Sequence, residues 1–157
     1  MIIISHRGNI KGPESDKENH PEYIDRAISK GFDVEIDIWM ITNIGWTNKF
    51  YLGHDGPEYE VSKEWLMERR DKLWVHCKNL KAASYLSKDL RCFGSEHDPF
   101  CYMSQGHIWV NNVDVKPPEN CVIPLLGLAN IKTYRFIESA FAICTDYPEE
   151  LLRKIFN

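Results

Sequence analysis

A single α/β domain built on parallel strands is what this chain predicts, on three observations. Over the first ~90 residues, apolar strand-like runs alternate with polar loops and amphipathic helical stretches, the pattern of a parallel sheet with crossover helices. Eight strand-like runs can be marked along the sequence, enough for a closed barrel. Polar residues (His6, Asp37, His54, Lys78, Asp146) stand at the C-terminal ends of those runs, where a barrel gathers them at one mouth. A (β/α)₈ barrel usually takes about 250 residues, so 157 residues predict a compact (β/α)₈ TIM-type barrel with several helices missing or shortened in the second half. An open α/β sheet is the alternative.

The elements follow in order. Ile2 to Ser5 reads as a strand, and the loop Asn9 to Asn19, rich in Gly, Pro, Asn and charge, is a place for a ligand. Pro21 suits the first turn of a helix, Ile24, Ala27 and Ile28 form its apolar stripe, and Gly31 fits its C-terminal cap. Strands are predicted over Phe32 to Trp39, Phe50 to Gly53 and Leu73 to Lys78, with a helix from Ser62 to Arg70. Asn79 caps a third helix, lined on one side by Leu80, Ala83, Leu86 and Leu90. Short β-like runs recur at Arg91 to Phe93, His107 to Val110, Val122 to Leu125 and Phe141 to Cys144.

Composition narrows the functional classes. With 43% hydrophobic and 27% charged residues and no repeat, the chain reads as one globular domain, residues 1–157. A net charge of -4 argues against general binding to nucleic acid or an anionic membrane, so an anionic substrate must meet local cations. No run approaches the roughly 18 apolar residues of a membrane span, and Met1-Ile2-Ile3-Ile4 opens without a basic leader, which places the protein in the cytoplasm. Five cysteines without a CxxC spacing indicate neither a disulfide framework nor a thiolate zinc site; Cys77, Cys121 and Cys144 are expected as buried thiols.

The strand Asp33-Val34-Glu35-Ile36-Asp37-Ile38 carries the chemistry. Alternation puts Val34, Ile36 and Ile38 on one face and the three carboxylates on the other. Converging carboxylates on a buried face need cations: a divalent metal with oxygen ligands, basic groups such as Arg7, or a structural ladder of Lys and Arg from a neighbouring strand. His6 and His54 each end a strand and can share general acid and base work, or stand as two solvated loop imidazoles. His76 and Lys78 share a face of the next strand; Lys78 can meet a phosphate oxygen or the carboxylate pair, or simply snorkel.

Taken together, His6-Arg7-Gly8, Glu18-Asn19, Glu35-x-Asp37, Gly53-His54-Asp55, Lys78 and the closing Cys144-Thr145-Asp146-Tyr147-Pro148 resemble the glycerophosphodiester phosphodiesterase family. That family sits in a wider barrel group with phosphatidylinositol-specific phospholipase C and the sphingomyelinase D enzymes. The resemblance implies metal-dependent cleavage of a small or lipid-derived phosphodiester, with His6 and His54 as acid and base, Glu35 and Asp37 on the metal, and Arg7 and Lys78 on the phosphate. It also implies that a glycerol hydroxyl can attack phosphorus first, giving a cyclic phosphate that water opens. Two departures stand out. His76-x-Lys78 occupies the place of the family's Glu-x-Lys, whose Glu is a third metal ligand, and the chain lacks the insertion that builds the glycerol pocket. Glu35 and Asp37 suit Mg²⁺ or Ca²⁺; His76 as a direct ligand shifts preference towards Mn²⁺ or Zn²⁺, whereas His76 hydrogen-bonded to a carboxylate leaves it unchanged. Trp109, His97 and Asp98 are further candidates for the mouth. The rival expectation is a barrel without turnover that binds a phosphorylated ligand or protein partner. Oligomeric state stays open, a homo-oligomer included.

Overall fold

The computed structural model describes residues 1–45, 47–94, 98–111 and 116–156. Strand β1 (Ile2–His6) leads through a long loop to α1 (Pro21–Ser29), β2 (Asp33–Thr42), β3 (Asn48–Leu52), β4 (Tyr59–Val61), α2 (Lys63–Glu68), β5 (Leu73–Cys77) and α3 (Leu80–Leu86). The second half carries β6 (Arg91–Phe93), β7 (Phe100–Tyr102), β8 (Ile108–Val110), β9 (Cys121–Pro124), α4 (Leu128–Thr133), a 3₁₀ turn at Ile137–Ser139, β10 (Ala142–Thr145) and α5 (Pro148–Phe156).

All these strands join one mixed sheet. Six parallel ladders run in the order β6-β5-β2-β1-β10-β9-β8, and β3, β4 and β7 add to it antiparallel. The second strand of the chain is the pivot: its first residues pair with β1, its last with β3, and its other edge with β5.

The predicted closed eight-stranded barrel differs from this sheet. Among the described residues no ladder joins β6 to β8, so hydrogen bonding leaves the sheet open. Its ends nevertheless approach: Ser104 donates its N–H to the Cys92 carbonyl (2.9 Å), its Oγ accepts from Cys92 N–H (3.0 Å), and the Phe93 ring stacks on Trp109 at 4.2 Å. Strand β3, expected as a parallel member, is antiparallel to β2. The reason is length: the few residues between Thr42 and Asn48 make a hairpin, closed by Asn43 N–H to the Thr47 carbonyl (3.0 Å), whereas a parallel return needs a dozen or more.

Three apolar clusters build the core. Val34, Ile36, Ile38, Val75 and Cys77 face outward against Ile24, Ala27, Leu66 and Leu86 of the helices. Ile123, Ile143, Val110 and Cys121 pack on Ile131 and Leu151 at the opposite flank. A third cluster lies inside the curl of the sheet and draws on both of its ends: Ile4, Trp74, Phe93, Met103, Trp109, Val122, Ala142 and Cys144. The first helix starts with Pro21 and stops before Gly31, whose φ of +93° favours a residue without Cβ. Asn79 caps α3 by accepting from Ala82 N–H, but Ala82 and Leu86 face the core while Leu80 is 84% exposed, so the predicted stripe is rotated. No helix among the described residues is long and apolar enough to cross a membrane.

A candidate carboxylate and imidazole centre at the sheet mouth

The parallel registers set the site. His6 pairs with Glu35, and Asp37 with His76, so the inward residues of β1, β2 and β5 meet at the C-terminal end of the sheet. A cavity of about 180 Å³ there is lined by His6, Arg7, Glu35, His54, His76, Phe93, Trp109, Asn111, Pro124 and Leu126. Larger hollows of about 450, 430 and 340 Å³ lie elsewhere on the surface and gather none of the predicted site residues.

Two imidazole–carboxylate pairs face each other across this mouth. His6 Nδ1 lies 2.7 Å from Asp146 Oδ1, its Nε2 lies 3.8 Å from Glu35 Oε2, and His76 Nδ1 lies 3.0 Å from Asp37 Oδ1. Burial alone would lower the His6 pKa, but the Asp146 hydrogen bond and the Glu35 charge outweigh it, and the imidazole is held above its ordinary value. Asp146 is itself fixed by Asn9, whose amide donates to Asp146 Oδ1 (2.8 Å) and to Glu18 Oε1 (2.7 Å).

Asp37 is fully enclosed and fully served. Asn19 donates to its Oδ2 (2.9 Å), Arg7 Nε sits 2.8 Å from the same oxygen without being aligned as a donor, and Lys78 Nζ lies 3.8 Å from Oδ1. Burial opposes the charged form, yet His76, Arg7 and Asn19 win, so the Asp37 pKa falls below the carboxylate range. Glu35 is the opposite case. Its Oε2 is buried with no hydrogen-bond partner, and burial together with the Asp37 charge pushes its pKa up to about 7. Ligand atoms of Glu35, Asp37 and His76 all lie within 4.8 Å of one another, so the donor set fits a divalent ion that favours oxygen and accepts one nitrogen.

Backbone strain accompanies the arrangement. Arg7 (φ 52°) and Asn19 (φ 62°) both adopt left-handed backbone, a cost of order 1–3 kcal/mol each. Their mutual bond, Asn19 N–H to the Arg7 carbonyl (3.0 Å), ties the strand end to the loop. The strain is held by side-chain contacts: Arg7 Nη1 to Glu18 Oε2 (3.1 Å), and Asp37 N–H to Asn19 Oδ1 (3.0 Å). Gly53 must lack a side chain, because a Cβ there would stand 2.2 Å from the Gly56 carbonyl; this tight turn delivers His54 to the cavity.

The structure therefore brings His6, Arg7, Glu35, Asp37, His54 and His76 together, with Lys78 against Asp37 rather than snorkelling away. His54 is partly exposed and its Nδ1 lies 2.7 Å from Asp55 Oδ1. Trp109 lines the cavity, Asp98 is exposed, and His97 lies outside the described residues. All five cysteines are buried and unpaired. The sequence placed Asp146 at the mouth and Glu18-Asn19 in the motif, but gave neither these nor Asn9 the part they take in orienting the others. The available signal was the polar 9–19 loop directly after a strand end, and Asp146 at the end of the last strand. Compared with known proteins, the chain matches no family model, and neither a curated protein nor a solved structure matches it significantly.

Proposed function

We propose that this protein is a divalent-metal-dependent phosphodiesterase that cleaves a small or lipid-derived phosphodiester with two histidines as acid and base. The observation that carries the reading is the buried, unpartnered Glu35 Oε2 beside Asp37, in a cavity that also holds Arg7, His6 and His54. Glu35, Asp37 and His76 would hold the cation, which would supply positive charge to offset that of the phosphate. Arg7, held by Glu18 and Asp37, keeps a fixed guanidinium at the cavity wall to receive the phosphate, and Lys78 adds a second positive charge behind it. His6 anchors Nδ1 on Asp146 and keeps a proton at Nε2 for the departing alkoxide. His54 takes the proton of the attacking hydroxyl, whether water or a hydroxyl of the substrate's own alcohol. Positioning and charge complementarity supply most of the rate.

One observation favours a second reading, a binding module without turnover: both Asp37 oxygens are already engaged by protein groups, so much of the buried charge is neutralised without an ion. Incubation with bis(p-nitrophenyl) phosphate, with and without chelator, separates the two. Release of nitrophenol that stops on chelation and returns with added Mg²⁺, Ca²⁺ or Mn²⁺ supports the enzyme. Saturable binding with no release supports the module.

A further inference from the structure

The cavity has a second wall of different character. Phe93 is stacked between two rings, His76 on one side (4.9 Å, 6° between planes) and Trp109 on the other (4.2 Å, 15°). Three parallel rings thus extend from β5 to β8 across the place where the sheet has no ladder. Pro124 and Leu126 continue this wall, and Leu126 is 38% exposed although its neighbour Leu125 is fully buried. The amide of Asn111, also on the lining, donates to the Asp98 carbonyl at 2.6 Å. Charged groups hold one side of the cavity, and carbon, with the Asn111 amide, holds the other.

That asymmetry discriminates between alcohols. A polyol entering here exchanges water for hydrocarbon at its hydroxyls, and each unpaired hydroxyl weakens binding by roughly tenfold. Each methylene removed from water gains roughly fourfold. About 180 Å³ accommodates a phosphate with a short alkyl chain or one ring, and a longer chain leaves past Leu126.

Resting on the phosphodiesterase reading for the position of the phosphate, we infer that the site selects diesters in which one alcohol presents alkyl or aryl carbon, not a polyol, to Phe93, Trp109, Pro124 and Leu126. The test uses glycerol phosphate esterified at its second position with hexanol, benzyl alcohol or another glycerol. Turnover is followed by phosphorus NMR, and affinity by calorimetry. Expected is a kcat/KM and an affinity at least about tenfold higher for the hexyl and benzyl esters than for the glyceryl ester. In Leu126→Asn, a change at a half-exposed rim position, that ratio falls to within about threefold. Equal or better handling of the glyceryl ester overturns the inference, as does a hydrocarbon preference that survives Leu126→Asn. Absence of turnover with all three esters defeats the phosphodiesterase reading instead, and the affinity ratio still decides the role of the wall.

Discussion

The inner face of β2 carries three carboxylates at two ends of the sheet, and the ends treat them differently. At the end of the sheet where β2 begins, Asp33 borders the hollow of about 430 Å³ and is saturated: Lys72 Nζ at 3.0 Å and Trp74 Nε1 at 3.0 Å take its two oxygens, and Arg91, stacked over Trp74, stands 3.6 Å away. At the mouth, Glu35 keeps a buried oxygen with no hydrogen-bond partner and only the His6 ring at 3.8 Å, and Asp37 is ringed by Arg7, His76 and Lys78 beside a cavity. Acidity on a buried strand is therefore not in itself a sign of chemistry. The ladder of basic partners weighed as a structural alternative for Glu35 and Asp37 is realised in full two residues away, at Asp33. Asp33 also borders a hollow, so what distinguishes the mouth is a buried carboxylate oxygen without a hydrogen bond.

The sharpest way to break this contrast is to remove charge at the mouth. Glu35→Gln and Asp37→Asn are expected to lower kcat by about 10³ or more, the scale of losing a preorganised electrostatic group, with the fold intact by circular dichroism. Near wild-type turnover in Glu35→Gln would remove the uncompensated oxygen from the argument. Next come the proton carriers. His6→Ala and His54→Ala should each cost about 10²–10⁴ in kcat. Asp146→Asn should cost less and move the acidic group in the kcat/KM profile to lower pH, because the hydrogen bond that raises the His6 pKa is weakened. An unshifted profile in Asp146→Asn would show that Asp146 does not act through His6.

Much of this was legible in the sequence, for identifiable reasons. Period-two alternation placed Glu35 and Asp37 on one face, and strand-end position placed His6, His54 and Lys78 at one mouth, because both follow from local geometry. Pro21, Gly31 and Asn79 punctuated the helices as their backbone chemistry requires. The return direction of β3 was missed because strand propensity carries no direction; only the short connection does. The Asn9 bridge was missed because its partner Asp146 is 137 residues away, a distance over which no pattern signals contact. The open seam of the sheet depends on β7, a short strand whose Phe100 and Tyr102 face solvent and leave only Cys101 buried.

A third effect, on stability, separates Glu35 from its neighbours. A carboxyl whose pKa is near 7 folded and near 4.5 unfolded binds more protons in the folded state between those values. Stability of the metal-free protein is therefore present below about pH 4.5 on this account and is lost as pH rises towards 7, by up to a few kcal/mol. His6, raised above 6.5, contributes with the same sign at the upper end of the window. Thermal melts in chelator at pH 5 and pH 7.5 should show the loss. Glu35→Gln should flatten it, and a divalent cation should raise Tm more at pH 7.5 than at pH 5. The same dependence of Tm on pH in Glu35→Gln as in the wild type would contradict the buried, protonated state of Glu35.

The smallest effect on activity is expected at Asp33, and it decides whether the contrast is real. Asp33→Asn keeps an oxygen that can accept from Trp74 but leaves Lys72 and Arg91 without a counter-charge. Lys72 is nearly half exposed and can turn to water, so the loss lies mainly with the more enclosed Arg91, about 1–3 kcal/mol. Denaturant titration should show that loss as a lower midpoint with unchanged slope, while kcat at a temperature well below the transition stays within a few-fold of wild type. The reverse pattern, an unchanged midpoint with kcat reduced a hundredfold, would put Asp33 in the chemistry. Both ends of β2 would then be functional, and the unpartnered oxygen of Glu35 would no longer mark the site.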